Sequence, residues 1–111
     1  MAAQTLISNQ TISSLVTSPV LTANGALANA QMDFTLSVPF GNLIEFAIDS
    51  SSDNGVTWSG KDGYRIDNRG GTKTETFRRT SVIPNQKGLK LRARVTEIAG
   101  AATVTSVTLT N

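Results

Sequence analysis

Few side chains in this 111-residue chain could do acid–base or nucleophilic chemistry, because it contains neither histidine nor cysteine. The usual general base, the usual nitrogen or sulfur metal ligands and the thiolate nucleophile are therefore missing. What remains is Asp49 with Asp53, two carboxylates of the kind that glycosidases pair. Carboxylates so placed are common in turns, and their spacing does not match a calcium-binding loop. We therefore predict that the chain is not an enzyme and holds no metal or cofactor.

A second chemistry is suggested by the single tryptophan and the single tyrosine, Trp58 and Tyr64. Sugar-binding modules stack glycans on exposed aromatic rings, and two rings on one sheet face would form such a platform. In the other interpretation Trp58 is an apolar anchor of the core, since burying a large ring stabilises a small domain. The sequence leaves both interpretations open.

The basic residues are unevenly placed along the chain, although the formal net charge is only +2. Residues 1–60 contain four acids and no lysine or arginine, whereas all ten basic residues lie between Lys61 and Arg94. Such a separation could give the folded domain a basic side suited to head-to-tail assembly or to docking on an acidic surface. Alternatively, strands from the two halves interleave and the charges mix.

One row of basic side chains alternates along a predicted strand and could form a docking patch. The row is Lys90, Arg92 and Arg94, and a neighbouring strand could extend it with Arg78 and Arg79. Nucleic acid would be attracted to such a patch, but aromatic side chains that could stack on bases do not accompany it. We predict no nucleic-acid partner and assign these five residues to electrostatic docking on a protein.

Alternating apolar and polar residues predict an all-β fold. Successive side chains of a strand point to opposite faces, and this period of two recurs along the chain, whereas the helical period is absent. The predicted strands lie at Met32 to Val38, Ile44 to Ile48, Tyr64 to Ile66, Thr72 to Ile83, Leu89 to Val95 and Ala102 to Thr110. Their number and spacing indicate an antiparallel two-sheet sandwich, immunoglobulin-like or jelly-roll-like, whose last two strands form a hairpin.

The first 30 residues differ from the rest, being uncharged and rich in Ser, Thr, Ala, Asn and Gln. We predict that residues 1–30 form an extended N-terminal arm with an edge strand between Thr5 and Leu15, and that residues 31–111 form the β-sandwich domain. Met1 to Gln10 has neither the basic region nor the apolar run of a signal peptide or anchor. The expectation is a soluble protein with no membrane partner.

Residues Ser51 to Trp58 read SSDNGVTW and fit the pattern S-x-D-x-G-x-x-W, so this segment resembles an Asp-box. In Asp-box proteins the Asp accepts backbone N–H bonds in a hairpin turn, the Gly takes a positive φ, and the aromatic ring packs beneath. The resemblance assigns Ser51, Asp53, Gly55 and Trp58 to a structural turn. A single copy implies neither a propeller nor glycosidase activity, and sugar binding is the minority role of the motif.

Over its whole length the chain also resembles the small structural proteins of tailed bacteriophage virions. The likeness lies in the short polar N-terminus, the Thr/Ser/Val/Ala-rich strands, the segment Asp53 to Trp58 and the closing run Ala101 to Thr110. It implies a capsid decoration or cement protein on the virion surface, made in the host cytoplasm. Its partner would be the major capsid protein or another virion protein, contacted through residues 1–30, and it could form a homo-oligomer. The alternative is a carbohydrate- or receptor-binding module of a tail or fibre, with Trp58 and Tyr64 as the stacking platform.

Overall fold

In this computed structural model, which describes residues 4–25 and 27–110, all regular structure is β-strand. The eight strands are β1 (Gln4–Ile12), β2 (Leu21–Thr22), β3 (Asn29–Val38), β4 (Leu43–Ser51), β5 (Ser59–Asp67), β6 (Glu75–Pro84), β7 (Lys90–Ala99) and β8 (Ala102–Thr110). The six strands predicted from alternation correspond to β3 to β8.

The strands form two antiparallel four-stranded sheets packed as a sandwich. The first sheet has the order β1-β8-β3-β6 and the second the order β2-β7-β4-β5. The pairing is nested, because β1 pairs with β8, β2 with β7, β3 with β6 and β4 with β5. An antiparallel ribbon rolled up in this way is a jelly roll. The predicted all-β sandwich is confirmed, and of the two topologies considered the strand order is that of the jelly roll.

The core lies between the sheets and is built from the alternating apolar residues. Phe34 and Leu36 of β3 and Phe46 and Ile48 of β4 are buried. The rings of Phe34 and Phe46 meet across the sandwich with centroids 5.1 Å apart. Because the apolar flank of each strand is used in this way, the outer faces, the sheet edges and the connections are what remains for function.

The expected hairpin between the last two strands is wrong, because β7 and β8 belong to different sheets. Gly100 and Ala101 instead carry the chain across the sandwich. Gly100 has a φ of +78°, and the Asn42 side chain packs against it. Asn42 Nδ2 donates to the Ala101 carbonyl at 2.9 Å. A two-residue connection suits a hairpin and also suits this crossing, and alternation does not reveal which strands are neighbours.

The described part of residues 1–30 belongs to the sandwich and is not an extended arm. β1 is an edge strand beside β8, and Leu6, Ile7 and Ile12 are buried in the core. The following segment runs along β7, where Ser18 N donates to the Ala93 carbonyl at 2.7 Å. A low charge and a high Ser and Thr content are shared by arms and edge strands, so composition did not separate the two.

Antiparallel pairing gathers the connections at two ends of the sandwich. The loop end contains residues 13–15, 39–42, 68–74 and 100–101, while residues 16–20 run along β7 towards the other end. The turn end contains residues 23–25, 27–28, 52–58 and 85–89. These two ends, together with the sheet edges, carry the candidate sites.

Candidate functional site

The β4–β5 connection at the turn end carries the resemblance to an Asp-box. Asp53 accepts hydrogen bonds from the hydroxyl and the backbone N–H of Thr57, the latter at 2.8 Å. Ser51 Oγ donates to Asp53 at 2.7 Å and accepts from Gly55 N at 2.8 Å, and Gly55 has a φ of +86°. Hydrogen bonds from Thr57, and then from Ser51, lower the pKa of Asp53 from 3.8 to about 2. The turn is therefore organised around an ionised carboxylate.

Trp58 lies outside the core, half-buried at the turn end. The Arg92 guanidinium lies 4.0 Å from the centroid of its ring, and a Cβ on Gly55 would lie 3.6 Å from the same ring. Because Arg92 alternates with the buried Leu91, Trp58 packs on the outer face of the second sheet, and the interpretation of Trp58 as a core anchor is wrong. Tyr64 points inward, with its ring 5.7 Å from that of Phe34. The two rings therefore form no common stacking platform.

A buried carboxylate on the same outer face holds two of the predicted docking arginines. Asp49 is only 2% exposed and accepts from Arg92 Nε at 3.0 Å and from Arg94 Nε at 2.6 Å. Burial raises the pKa of Asp49, but the hydrogen bonds and charges of the two arginines outweigh it, so the pKa is lowered. Arg65 likewise pairs with Glu45 at 3.5 Å, and more closely with Glu97 of β7 at 2.5 Å. Acids of the first half thus neutralise bases of the second at these positions.

The five predicted docking residues do not form one patch. Lys90, Arg92 and Arg94 lie on β7 inside the second sheet, whereas Arg78 and Arg79 lie on β6 at the edge of the first. The expectation that they occupy neighbouring strands is therefore wrong, because it assumed that strands near in sequence pair with each other. Lys90 Nζ donates to Thr22 Oγ1 at 2.6 Å. Arg78 and Arg79 are exposed and make no ion pair within the described residues.

A groove of about 540 Å³ opens at the turn end between the β4–β5 turn and the β6–β7 connection, and we call it the Trp58 groove. Polar groups of Ser52, Ser59, Lys61 and Gln86 line it together with apolar Trp58 and Leu89. Its volume lies within the range of small-molecule sites, which combine an apolar wall with a few polar groups. This groove could not be predicted from the sequence, because its walls come from segments that are distant in the chain.

Tyr64 closes the side of the sandwich between β5 and β6. Its hydroxyl donates to the Thr80 carbonyl at 2.6 Å and contacts Ser81 Oγ, which donates to Asp62 at 2.6 Å. The bond from Ser81 is the main reason that the pKa of Asp62 is lowered, and burial raises the pKa of Tyr64. Each polar group has a partner, so the cluster joins the two sheets.

Phe40 stands exposed at the loop end, on a turn whose backbone is fixed. It is 60% exposed and occupies the first corner of a turn in which Gly41 has a φ of +84° and Asn42 N donates to the Pro39 carbonyl at 3.2 Å. Asn68, in the β5–β6 connection, holds this turn through its backbone. Its carbonyl accepts from Gly41 N at 2.8 Å, and its N–H donates to the Asn42 carbonyl at 2.9 Å. Phe40 was not among the residues predicted from the sequence, where its only signal is an aromatic residue between Pro39 and Gly41.

No protein-family model matches this chain, and no curated protein matches it. The described residues include no helix of the length and apolar character needed to span a membrane. Nor do residues 4–25 and 27–110 bring three or more acidic side chains together in a way that could hold a metal ion.

Proposed function

We propose that this chain is a structural protein of a bacteriophage virion, of the capsid decoration or cement type, which binds the major capsid protein and stabilises its lattice. The observation that carries the proposal is the exposed ring of Phe40 on its fixed turn. Aromatic side chains dominate the energetics of protein interfaces, and a tip already held in place loses little entropy on docking.

The surroundings of Phe40 suit a protein surface better than a small ligand. Leu15, in the connection that leaves β1 at the loop end, is 63% exposed and adds a second apolar contact. Lys73 is exposed in the β5–β6 connection, and Arg78 and Arg79 follow in β6, which begins at this end with Glu75. An apolar tip, together with cations that form no ion pair in the described part of the chain, fits an acidic partner surface that has an apolar recess.

The predicted docking residues therefore divide by role. We assign Arg78 and Arg79 to electrostatic docking, since both are exposed and neither forms an ion pair with another described residue. Arg92 and Arg94 are held by Asp49, and we assign them to the stability of the second sheet.

Stabilisation would come from repetition across the lattice. A small contact at one capsid subunit is weak by itself, but many copies, or a protein that spans two subunits, gain effective concentration from the ordered array. A 111-residue sandwich with fixed connections is suited to act as such a rigid staple.

The test is to mix the purified protein with capsids that lack decoration, image them and measure the temperature at which they rupture. We expect added density and a higher rupture temperature. Phe40→Ser should weaken capsid binding by roughly tenfold or more, while the fold is retained because the side chain is exposed. The matched control is Val56→Ser, which removes an 80% exposed side chain at the turn end and should not affect binding. Absence of both density and thermal effect would exclude the proposal.

The Trp58 groove supports a second candidate, a carbohydrate- or receptor-binding module of a tail or fibre. Its hydroxyls, its amide and Lys61 could bind sugar hydroxyls, while part of the Trp58 ring forms an apolar wall. Glycan-array binding that is lost in both Trp58→Ala and Lys61→Ala would favour this function. Circular dichroism must show that Trp58→Ala still folds, and binding that survives both changes would exclude the groove.

A further inference from the structure

Three of the four sheet edges carry features that hinder pairing with another strand. β1 has a register shift between Thr5 and Ile7, and Asn9 in it has a φ of +46°. β2 contains only two residues. β5 has an extra residue where its pairing with β4 shifts between Ile48 and Asp49. Bulges and very short strands are the usual means by which sandwiches avoid association through their edges.

β6 is the long and regular edge among the described residues. It has ten residues and pairs with β3 without a register shift. Just beyond it, Asn85 N donates to the Ala28 carbonyl at 3.3 Å, so odd-numbered residues of β6 bond to β3. By alternation, Thr76, Arg78 and Thr80 direct their backbone N–H and C=O groups to the free edge.

We propose that β6 pairs antiparallel with β6 of a second copy of this chain, about a two-fold axis at Phe77, so that two sandwiches share one continuous eight-stranded sheet. Thr76 of each copy would exchange main-chain hydrogen bonds with Arg78 of the other. This inference does not rest on the proposed capsid function, and either can fail alone.

Two features of the edge select that register. The Tyr64 hydroxyl already occupies the Thr80 carbonyl, and Pro84 has no N–H, so pairing must use the part of β6 before Thr80. Registers centred on Arg78 or Arg79 would place an arginine opposite its own copy, which is repulsive. An axis at Phe77 avoids these three conflicts. The Arg78 carbonyl now accepts from Arg79 Nη1 at 2.9 Å, and it is released for pairing when the exposed Arg79 side chain turns to Glu75 of the other copy.

The same register also brings opposite charges together. Glu75 of each copy lies directly opposite Arg79 of the other, in non-hydrogen-bonded pairs, where side chains approach most closely. Glu75 and Arg79 are exposed and form no ion pair within the described chain. Phe77, half-buried with Arg79 5.9 Å over its ring, meets its own copy on the axis. Arg78 stays on the outer face, available for docking.

Disulfide trapping tests the register, because the chain has no native cysteine. Residues on the axis have Cα atoms about 4.5 Å apart, within the range of a disulfide, so Phe77→Cys should form a dimer under mild oxidation. Thr80→Cys is the matched control, since two copies of residue 80 would lie roughly 20 Å apart. Because Phe77 contacts the core, an equal mixture of Thr76→Cys and Arg78→Cys, both at exposed positions, should cross-link to each other. Failure of that mixture, or equal trapping at Thr80→Cys, would overturn the proposal.

Charge reversal tests the interface at equilibrium by sedimentation velocity. The protein should dimerise reversibly, and Glu75→Arg should weaken the dimer by roughly tenfold or more. Combining Glu75→Arg with Arg79→Glu restores opposite charges and should restore the dimer, whereas Lys87→Glu at the turn end should change nothing. Dimerisation that is insensitive to Glu75→Arg, or a double variant that remains monomeric, would overturn the register.

Discussion

Asp49 shows how much a single carboxylate contributes when it is nearly removed from water. In Asp49→Asn the amide keeps the shape but no longer balances the charges of Arg92 and Arg94. Loss of one member of a buried ion pair is strongly destabilising. The cost is smaller here because both arginines are partly exposed, so that water screens their charges. We expect the free energy of unfolding, measured in urea, to fall by about 2 kcal/mol.

An exposed pair provides the control for that measurement. Asp67 bonds Arg69 at 2.8 Å with both side chains open to solvent, so Asp67→Asn should lower stability much less than Asp49→Asn does. If the two variants lose the same free energy, burial of Asp49 is not the source of its effect.

The carboxylates with depressed pKa values also predict an acid-sensitive stability. The pKa of Asp53 lies at about 2 because of bonds from Thr57 and Ser51, and that of Asp67 lies at about 2 because of bonds from Arg69. Both groups favour the folded state above the ordinary value of 3.8, and this contribution is lost as the pH falls from about 4 towards 2. The melting temperature should therefore drop over that window. The melting temperature of Asp53→Asn should be lower at pH 7 and should fall less between about pH 4 and pH 2. If the melting temperatures of the variant and the unsubstituted protein fall by the same amount, Asp53 does not have this role in the turn.

At the scale of an element, the β7–β8 crossing depends on glycine for two separate reasons. Gly100 and Gly41 both have positive φ values, which cost a residue with a Cβ about 1–2 kcal/mol. At Gly41 the space around a Cβ is open, whereas at Gly100 it is filled by the Asn42 side chain that bonds Ala101. Gly100→Ala should therefore lose about 1 kcal/mol more than Gly41→Ala in urea unfolding. Equal losses would mean that Asn42 moves aside without cost.

The elements themselves could be predicted from the sequence, but their neighbours could not. Alternation along β3, β4 and β7 indicates that one face of each strand is buried, because side chains at every second position share a face. It carries no information about which strand lies alongside, since main-chain hydrogen bonds are the same for every residue type. The β7–β8 hairpin was wrongly predicted for that reason, as was the joint patch of Arg78 with Arg92.

The candidate sites divide in the same way. The β4–β5 turn was predictable because the hydrogen bonds that shape it join residues between Ser51 and Trp58. The position of Trp58 on Arg92 and the pairing of Asp49 with Arg94 depend on β4 and β7 lying side by side, although Asp49 and Arg94 are 45 residues apart in the chain. The exposure of Phe40 could not be predicted because it depends on how the connections that follow β3, β5 and β7 meet at the loop end.

For the whole molecule, nested pairing means that the first described strand and the last are neighbours. β1 pairs only with β8, so the roll closes when the N-terminal segment seats against the end of the chain. The same interleaving puts acids of the first half against bases of the second, at Asp49 and Glu45. The uneven distribution of charge along the sequence therefore leads to attractive ion pairs between neighbouring strands at these positions.

Under the proposed function the N-terminal segment would have two roles, closing the core and contacting the capsid, and one pair of substitutions can separate them. Ile12 is 1% exposed at the end of β1, so Ile12→Ala should cost about 2–4 kcal/mol of stability through lost contacts and a cavity. Leu15 lies three residues on and projects into solvent, so Leu15→Ala should change stability by about 0.5 kcal/mol or less and should weaken capsid binding. Urea unfolding gives the first quantity and capsid titration the second. If Ile12→Ala leaves the free energy of unfolding unchanged, the segment is an arm and not part of the core. A residue that closes the core cannot be truncated without a loss of stability.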